Sequence, residues 1–139
     1  VMSDEARHVA FGVLSLKEYY TELTQAEIRE RQEFAFEAAV RMRDRLLMQE
    51  VLHRMGVDVK SAVEMALQDE GRQVFQSMLF SKIVPNCKKL GLLDAGDGWL
   101  RTKFGELGVI QFEDLTDTSD EYESFALGKG ELSAAAEIA

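Results

Sequence analysis

At 139 residues, with 46% hydrophobic and 29% charged residues, the chain has the size and balance of one globular domain able to bury a core. A net charge of −9 and a pI near 4.7 exclude the clustered basic face that nucleic acid requires, and no apolar run approaches the roughly 18 residues that span a bilayer, so no transmembrane helix is expected. The single cysteine precludes an intrachain disulfide and fits a reducing, cytoplasmic setting.

The periodicity predicts helix almost everywhere, with no internal repeat and no strand alternation longer than a few residues, so the expected class is all-α. The first helix runs to about Tyr20. Val9, Phe11, Val13, Leu14 and Leu16 spread around most of its circumference, a pattern normally surrounded by neighbours. No start methionine, signal peptide or capping residue precedes Val1, so the chain reads as the carboxy-terminal part of a longer protein. On its opening turns Glu5 and His8 stand three apart. They project from one helical face and can hold one metal ion between a carboxylate oxygen and an imidazole nitrogen.

Thr24-Gln25-Ala26-Glu27 is a capping box and opens a second helix expected to continue to Met55 and stop at Gly56, about 31 residues and on the order of 45 Å. Its expected core stripe is Ile28, Phe34, Ala38, Met42, Leu46 and Leu52, and Glu27/Arg31, Glu37/Arg41 and Glu50/Arg54 are favourable pairs one turn apart. Glu37 lies between Phe34, Phe36 and Ala38 and could face inward toward a metal, but Arg41 one turn on favours an exposed ion pair. Phe34 and Phe36 read as core packing rather than a substrate wall. Arg41, Arg43 and Arg45 alternate with acidic residues, as on a solvated face. Glu50 and His53 also spell Glu-x-x-His, but His53 sits just before Gly56, where a histidine suits the helix C-terminal dipole better than a metal.

Asp58 can cap a helix holding Val59, Ala62, Val63, Ala66 and Leu67, and Asp69 can start another through Val74, Met78, Leu79 and Ile83 that ends at Pro85. A brief helix from Cys87 to Leu90 then stops at Gly91. Cys87 has lysine neighbours that could lower its pKa, yet a structural cysteine is the preferred reading. Gly96-Asp97-Gly98 is a turn signal, followed by a short helix from Trp99 to Leu107 docked through Trp99, Leu100 and Phe104. The glycines of this region do not form a phosphate-binding loop, since no Gly-x-x-x-x-Gly-Lys-Ser/Thr is present. From Asp114 the composition turns acidic and then small, so the helical bundle is expected over residues 1–113 and a disordered tail over 114–139.

At ordinary residue frequencies a bare Glu-x-x-His occurs by chance in roughly one chain in six of this size. Asp4 before the glutamate and Arg7 before the histidine bring that below about one in a thousand. In the form Asp4-Glu5-Ala6-Arg7-His8 the motif resembles the second metal motif of the oxygen-activating members of the ferritin-like carboxylate di-iron superfamily. That resemblance implies a ferritin-like helical bundle in which two helices each give a Glu and two others each give a Glu-x-x-His. It further implies that Glu5 and His8 are metal ligands, that Asp4 accepts a hydrogen bond from the ligand histidine of the other motif, and that Arg7 pairs with an outer-sphere carboxylate. Only one of the four contributions is assignable in this chain.

The function so implied is the C-terminal part of a non-haem di-metal oxidase or oxygenase, with iron or a manganese/iron pair as cofactor and O₂ and a small molecule as substrates. The partner would be the missing N-terminal half or a second copy of the chain. Helical residues continuing well past the second helix disfavour an iron-storage bundle, and the tail shows no docking sequence of the ribonucleotide reductase small-subunit kind. A non-enzymatic helical interaction module with a vestigial half-site is the alternative from another class. With two histidines, no Ser-His-Asp set is expected, and the His-Glu-x-x-His of zinc proteases is absent.

Overall fold

A computed structural model describes residues 2–45 and 47–116, with side chains from Glu5 onward. The chain is all-α, without a strand among the described residues. Its elements are α1 (Met2–Tyr20), α2 (Gln25–Arg45), α3 (Gln49–Arg54), α4 (Val59–Gln68), α5 (Glu70–Lys89), α6 (Trp99–Glu106) and a 3-10 turn at Ile110–Phe112. No helix among them is long and apolar enough to cross a membrane. The acidic tail expected beyond Asp114 lies, from residue 117 on, outside the described residues.

The core forms where α2, α5 and α6 meet. Ile28 and Ala39 of α2, Phe80, Val84 and Cys87 of α5, Leu92 and Leu93 of the following turn, and Leu100 and Phe104 of α6 are all buried. Phe104 lies edge-on to Phe80 at 6.4 Å between ring centres, and Phe36 packs against Phe104 at 6.1 Å and Trp99 at 5.8 Å. Edge-to-face arrangements set the positive ring edge against a negative face, which adds to the area buried.

The start of α2 follows the expected capping box. The Thr24 amide donates to Glu27 Oε2 at 2.8 Å and the Glu27 amide to Thr24 Oγ1 at 3.3 Å, so each side chain satisfies a backbone donor the helix leaves open. Its inward face differs from the expected stripe. Phe34 is 71% exposed and Met42 is exposed, while Ile28, Gln32, Ala35, Phe36 and Ala39 turn inward. Ile28 is common to both faces, but the buried face is rotated about a quarter turn from the expected stripe because a polar residue stands in its middle; Leu46 of that stripe lies outside the described residues. Gln32 is 1% exposed and donates from Nε2 to the carbonyls of Leu92 at 2.8 Å and Ala95 at 3.2 Å. Glu37 is exposed and bound to Arg41 at 2.5 Å, the surface ion pair its spacing favours.

The expected 31-residue helix is broken. α2 ends at Arg45, about 31 Å long for its 21 residues. Leu47 turns into a buried position and Met48 takes a left-handed conformation at φ 48° before α3 begins. A left-handed non-glycine residue costs roughly 1–2 kcal/mol and burying a leucine returns about 1.5–3 kcal/mol, so the break is favourable although neither Gly nor Pro marks it.

Pro85 likewise does not end its helix, since α5 runs through it to Lys89. The proline removes one backbone donor at a cost of about 3 kcal/mol. Val84, Pro85 and Cys87 are all buried there, and burial worth about 1.5–3 kcal/mol per large apolar side chain offsets that loss. Asn86 Nδ2 donates to the Lys82 carbonyl at 2.8 Å and supports the same turn. The helix stops at Gly91, where φ of 73° lets the Gly91 amide reach Lys88 O and the Leu92 amide reach Cys87 O.

Asp69 caps α5 as expected, accepting from the Arg72 amide at 2.7 Å. At α4 the Asp58 carboxylate accepts from Ser61 Oγ rather than from the backbone. Neither α3 nor α4 has a buried residue, and Val74 and Met78 at the start of α5 are exposed. The docked α6 follows the expected boundaries within a residue, with Leu100 and Phe104 fully buried.

Candidate functional site

Glu5 and His8 occupy the first and second turns of α1, and the helix brings them together. His8 Nδ1 lies 3.7 Å from Glu5 Oε2, and the side chains are 77% and 73% exposed. With bonds of about 2.1 Å to a common ion, two donors stand about 3.4 Å apart in tetrahedral geometry and at most about 4.2 Å apart in line. The observed separation therefore admits one ion between them after a small rotamer adjustment. The chemistry of the donors, one hard oxygen and one borderline imidazole nitrogen, suits iron, manganese or zinc.

The surroundings of the pair follow from how α1 packs. Ala6, Ala10 and Val13 are buried, and α1 makes its contacts with α5. Advancing 100° per residue from that inward face, the opposite side carries Glu5, His8, Phe11, Gly12, Ser15, Glu18 and Tyr19. Phe11 is 74% exposed, and Val9, Leu16 and Tyr19 are exposed as well. The expectation that a helix apolar on most sides is surrounded is thus met on one side only. The acid and the imidazole stand on a mixed face, with Phe11 and Tyr19 as its large apolar members, that no described residue covers.

Arg7 is exposed on the neighbouring side of α1, and Asp4 lies on the helix with its side chain outside the described residues. Among the described residues no group of three or more His, Cys, Asp or Glu side chains converges as a metal site. His53 lies in the last turn of α3, as its sequence position suggests, and Glu50 bonds to Arg54 at 2.6 Å instead of pairing with it. A cleft of about 350 Å³ lined by Lys17, Tyr20, Ile28 and Lys89 opens at the far end of α1. Twelve residues of helix put it about 18 Å from Glu5, too far to share a ligand.

Two polar assemblies escaped sequence reasoning. Arg101 binds Asp94 through Nε at 2.5 Å and Glu113 at 2.7 Å, while Lys88 reaches Glu113 at 3.3 Å and Asp114 at 2.6 Å. Hydrogen bonding from Arg101 lowers the pKa of Asp94 and holds Glu113 down at about 2. This network ties the turn after α5 and the 3-10 turn to α6, and the bidentate guanidinium contacts give it a defined geometry. The second assembly is Arg29, which binds Asp97 at 2.8 Å and lies 4.9 Å over the Trp99 ring. Contacts between residues this distant in sequence leave no local signal. Cys87 is buried, and burial pushes its thiol up to about 12, so it is a packing residue and not a nucleophile.

No protein-family model, curated protein or solved structure matches the chain.

Proposed function

We propose that this chain supplies one Glu-x-x-His helix of a carboxylate-bridged di-metal centre in a ferritin-like oxidase or oxygenase. The observation that carries the reading is the Glu5–His8 pair, 3.7 Å apart on a face of α1 that no described residue covers. Phe11 and Tyr19 stand exposed on the same side, and a face that packs around a metal cage has a use for such side chains that a solvated helix face does not. In this reading Glu5 and His8 bind one ion, and Asp4 and Arg7 orient ligands from the other helices. The remaining ligands, bridging glutamates included, come from polypeptide other than these residues. An iron pair held this way supplies O₂ activation when bound, and the chain's contribution is to orient its two donors and exclude water from one side.

Iron analysis of the full-length gene product that contains this chain tests the proposal. Two irons per polypeptide are expected, falling to one or none in His8→Ala, with oxidase activity lost in parallel. An iron-free wild-type product refutes it.

A second reading rests on a different observation. Met48, Val51, Met55, Met65, Phe75 and Met78 are exposed on α3 to α5, an apolar and methionine-rich surface of the kind that binds partner helices. An iron-free product would favour this interaction module.

A further inference from the structure

We infer that the cleft between the end of α1, the start of α2 and the turn after α5 binds a small organic acid, a flat apolar body carrying one negative charge. The site lies at the far end of α1 from Glu5, and its occupancy does not depend on a metal.

The charges of its lining single this cleft out. The chain carries 25 acidic and 16 basic residues, yet Lys17 and Lys89 both line the cleft and no carboxylate among the described residues does. Clefts elsewhere on the surface set an acid beside a base, as Asp69 with Arg72 and Glu37 with Arg41. Each of the two lysines stands in the last turn of its helix, where the carbonyl dipole offsets roughly half a unit of its charge. Glu27 caps the amino end of α2, so that helix end adds little. About one positive charge remains, which matches a single carboxylate and falls short of a polyphosphate.

The base of the cleft is apolar and held in place by the core. Ile28 is buried there, and Tyr20, Leu23, Leu90 and Ala95 pack against the same cluster. Gln32 fixes one wall through the Ala95 carbonyl at 3.2 Å, and Arg29 ties down the adjoining turn at Asp97. Gly96 continues that wall at φ 62°, where a Cβ would come within 3.1 Å of the Gln25 amide oxygen. A volume of about 350 Å³ lies at the lower end of the range that small-ligand sites occupy, and walls fixed in advance reduce the ordering cost of binding.

The polar groups of the lining are suited to an anion. Lys17, Tyr20 and Gln25 make no side-chain hydrogen bond to another described residue, whereas the Thr21 hydroxyl already donates to the Glu18 carbonyl at 2.7 Å. An ammonium, a phenol and a primary amide can each donate to a carboxylate, and the Tyr20 ring offers the apolar body a face to pack on.

Titration of the 15N-labelled 139-residue chain with 1-naphthoate, followed through amide NMR shifts, tests this. Saturable shifts are expected at Tyr20, Ile28, Leu90 and Gly96, with a Kd of about 1 mM or tighter. The neutral 1-naphthamide should bind at least about tenfold more weakly, and 1-naphthyl phosphate should gain less than about tenfold over the carboxylate. Lys17→Gln should weaken 1-naphthoate about tenfold with an otherwise unchanged spectrum, since Lys17 is exposed, and Lys60→Gln on α4 should leave binding as it is. Equal affinity for the acid and the amide, or for wild type and Lys17→Gln, overturns the inference. A phosphate preferred by more than tenfold overturns the assignment of a single charge. Shifts confined to the exposed apolar residues of α3 to α5, or no saturable shift at all, overturn the site itself.

Discussion

Gln32→Met removes the one buried polar side chain of the core cluster's α2 face at nearly constant volume. Gln32 is 1% exposed, and its amide joins α2 to the turn between α5 and α6. Of its two acceptors, the Ala95 carbonyl also receives the Gly98 amide at 3.1 Å and remains satisfied. The Leu92 carbonyl loses the Gln32 donor, in a place where Leu92 itself is 2% exposed. Leaving one buried acceptor without a partner costs about 1–3 kcal/mol, and the more apolar methionine recovers less than about 1 kcal/mol of that through burial. The net expectation is a loss of about 1–2 kcal/mol, a fall in Tm of about 5 °C for a domain of this size. Urea denaturation followed through Trp99, the single tryptophan, reads the change directly because its ring borders the same cluster. An unchanged or raised midpoint with an unchanged slope would show that the amide is dispensable and that the phase assigned to the α2 core face lacks its physical basis.

The Arg101 network makes stability depend on acid. Glu113 is held at about 2 against an ordinary value of 4.5, and Asp94 is also lowered, so both favour the folded state while ionised. Their contribution is complete above the unfolded carboxyl range and is lost as the pH falls from about 5 toward 2. Urea midpoints should drop across that window, and Arg101→Met should flatten the drop; an equal slope in the variant refutes the assignment. At the break between α2 and α3, Met48→Gly should raise stability by about 0.5–1 kcal/mol, since glycine relieves a left-handed residue whose side chain is 59% exposed. A lowered urea midpoint would mean that the Met48 side chain holds the break in place.

Most features with local causes are as the sequence predicts, the backbone cap expected of Asp58 being an exception. The capping box at Thr24 and Glu27, the cap at Asp69 and the stop at Gly91 each depend on side chains or φ angles within a few residues. The Glu5–His8 juxtaposition belongs with them, because a three-residue step on a helix places two side chains together whatever lies around them. The misreadings share the opposite origin. At Pro85 and at residues 47–48 the local propensity points one way, yet burial of Val84, Cys87 and Leu47 outweighs the local cost.

The sequence by itself determined the helical class, most helix starts and the single turn that presents an acid beside an imidazole. Only the tertiary structure decided that α2 turns Gln32 and Phe36 inward, that Arg101 gathers Asp94 and Glu113, and that no described residue covers the Glu5–His8 face of α1. Periodicity tells which residues share a side of a helix, but which side is buried depends on the sum of contacts with distant segments, and that sum has no expression in local spacing.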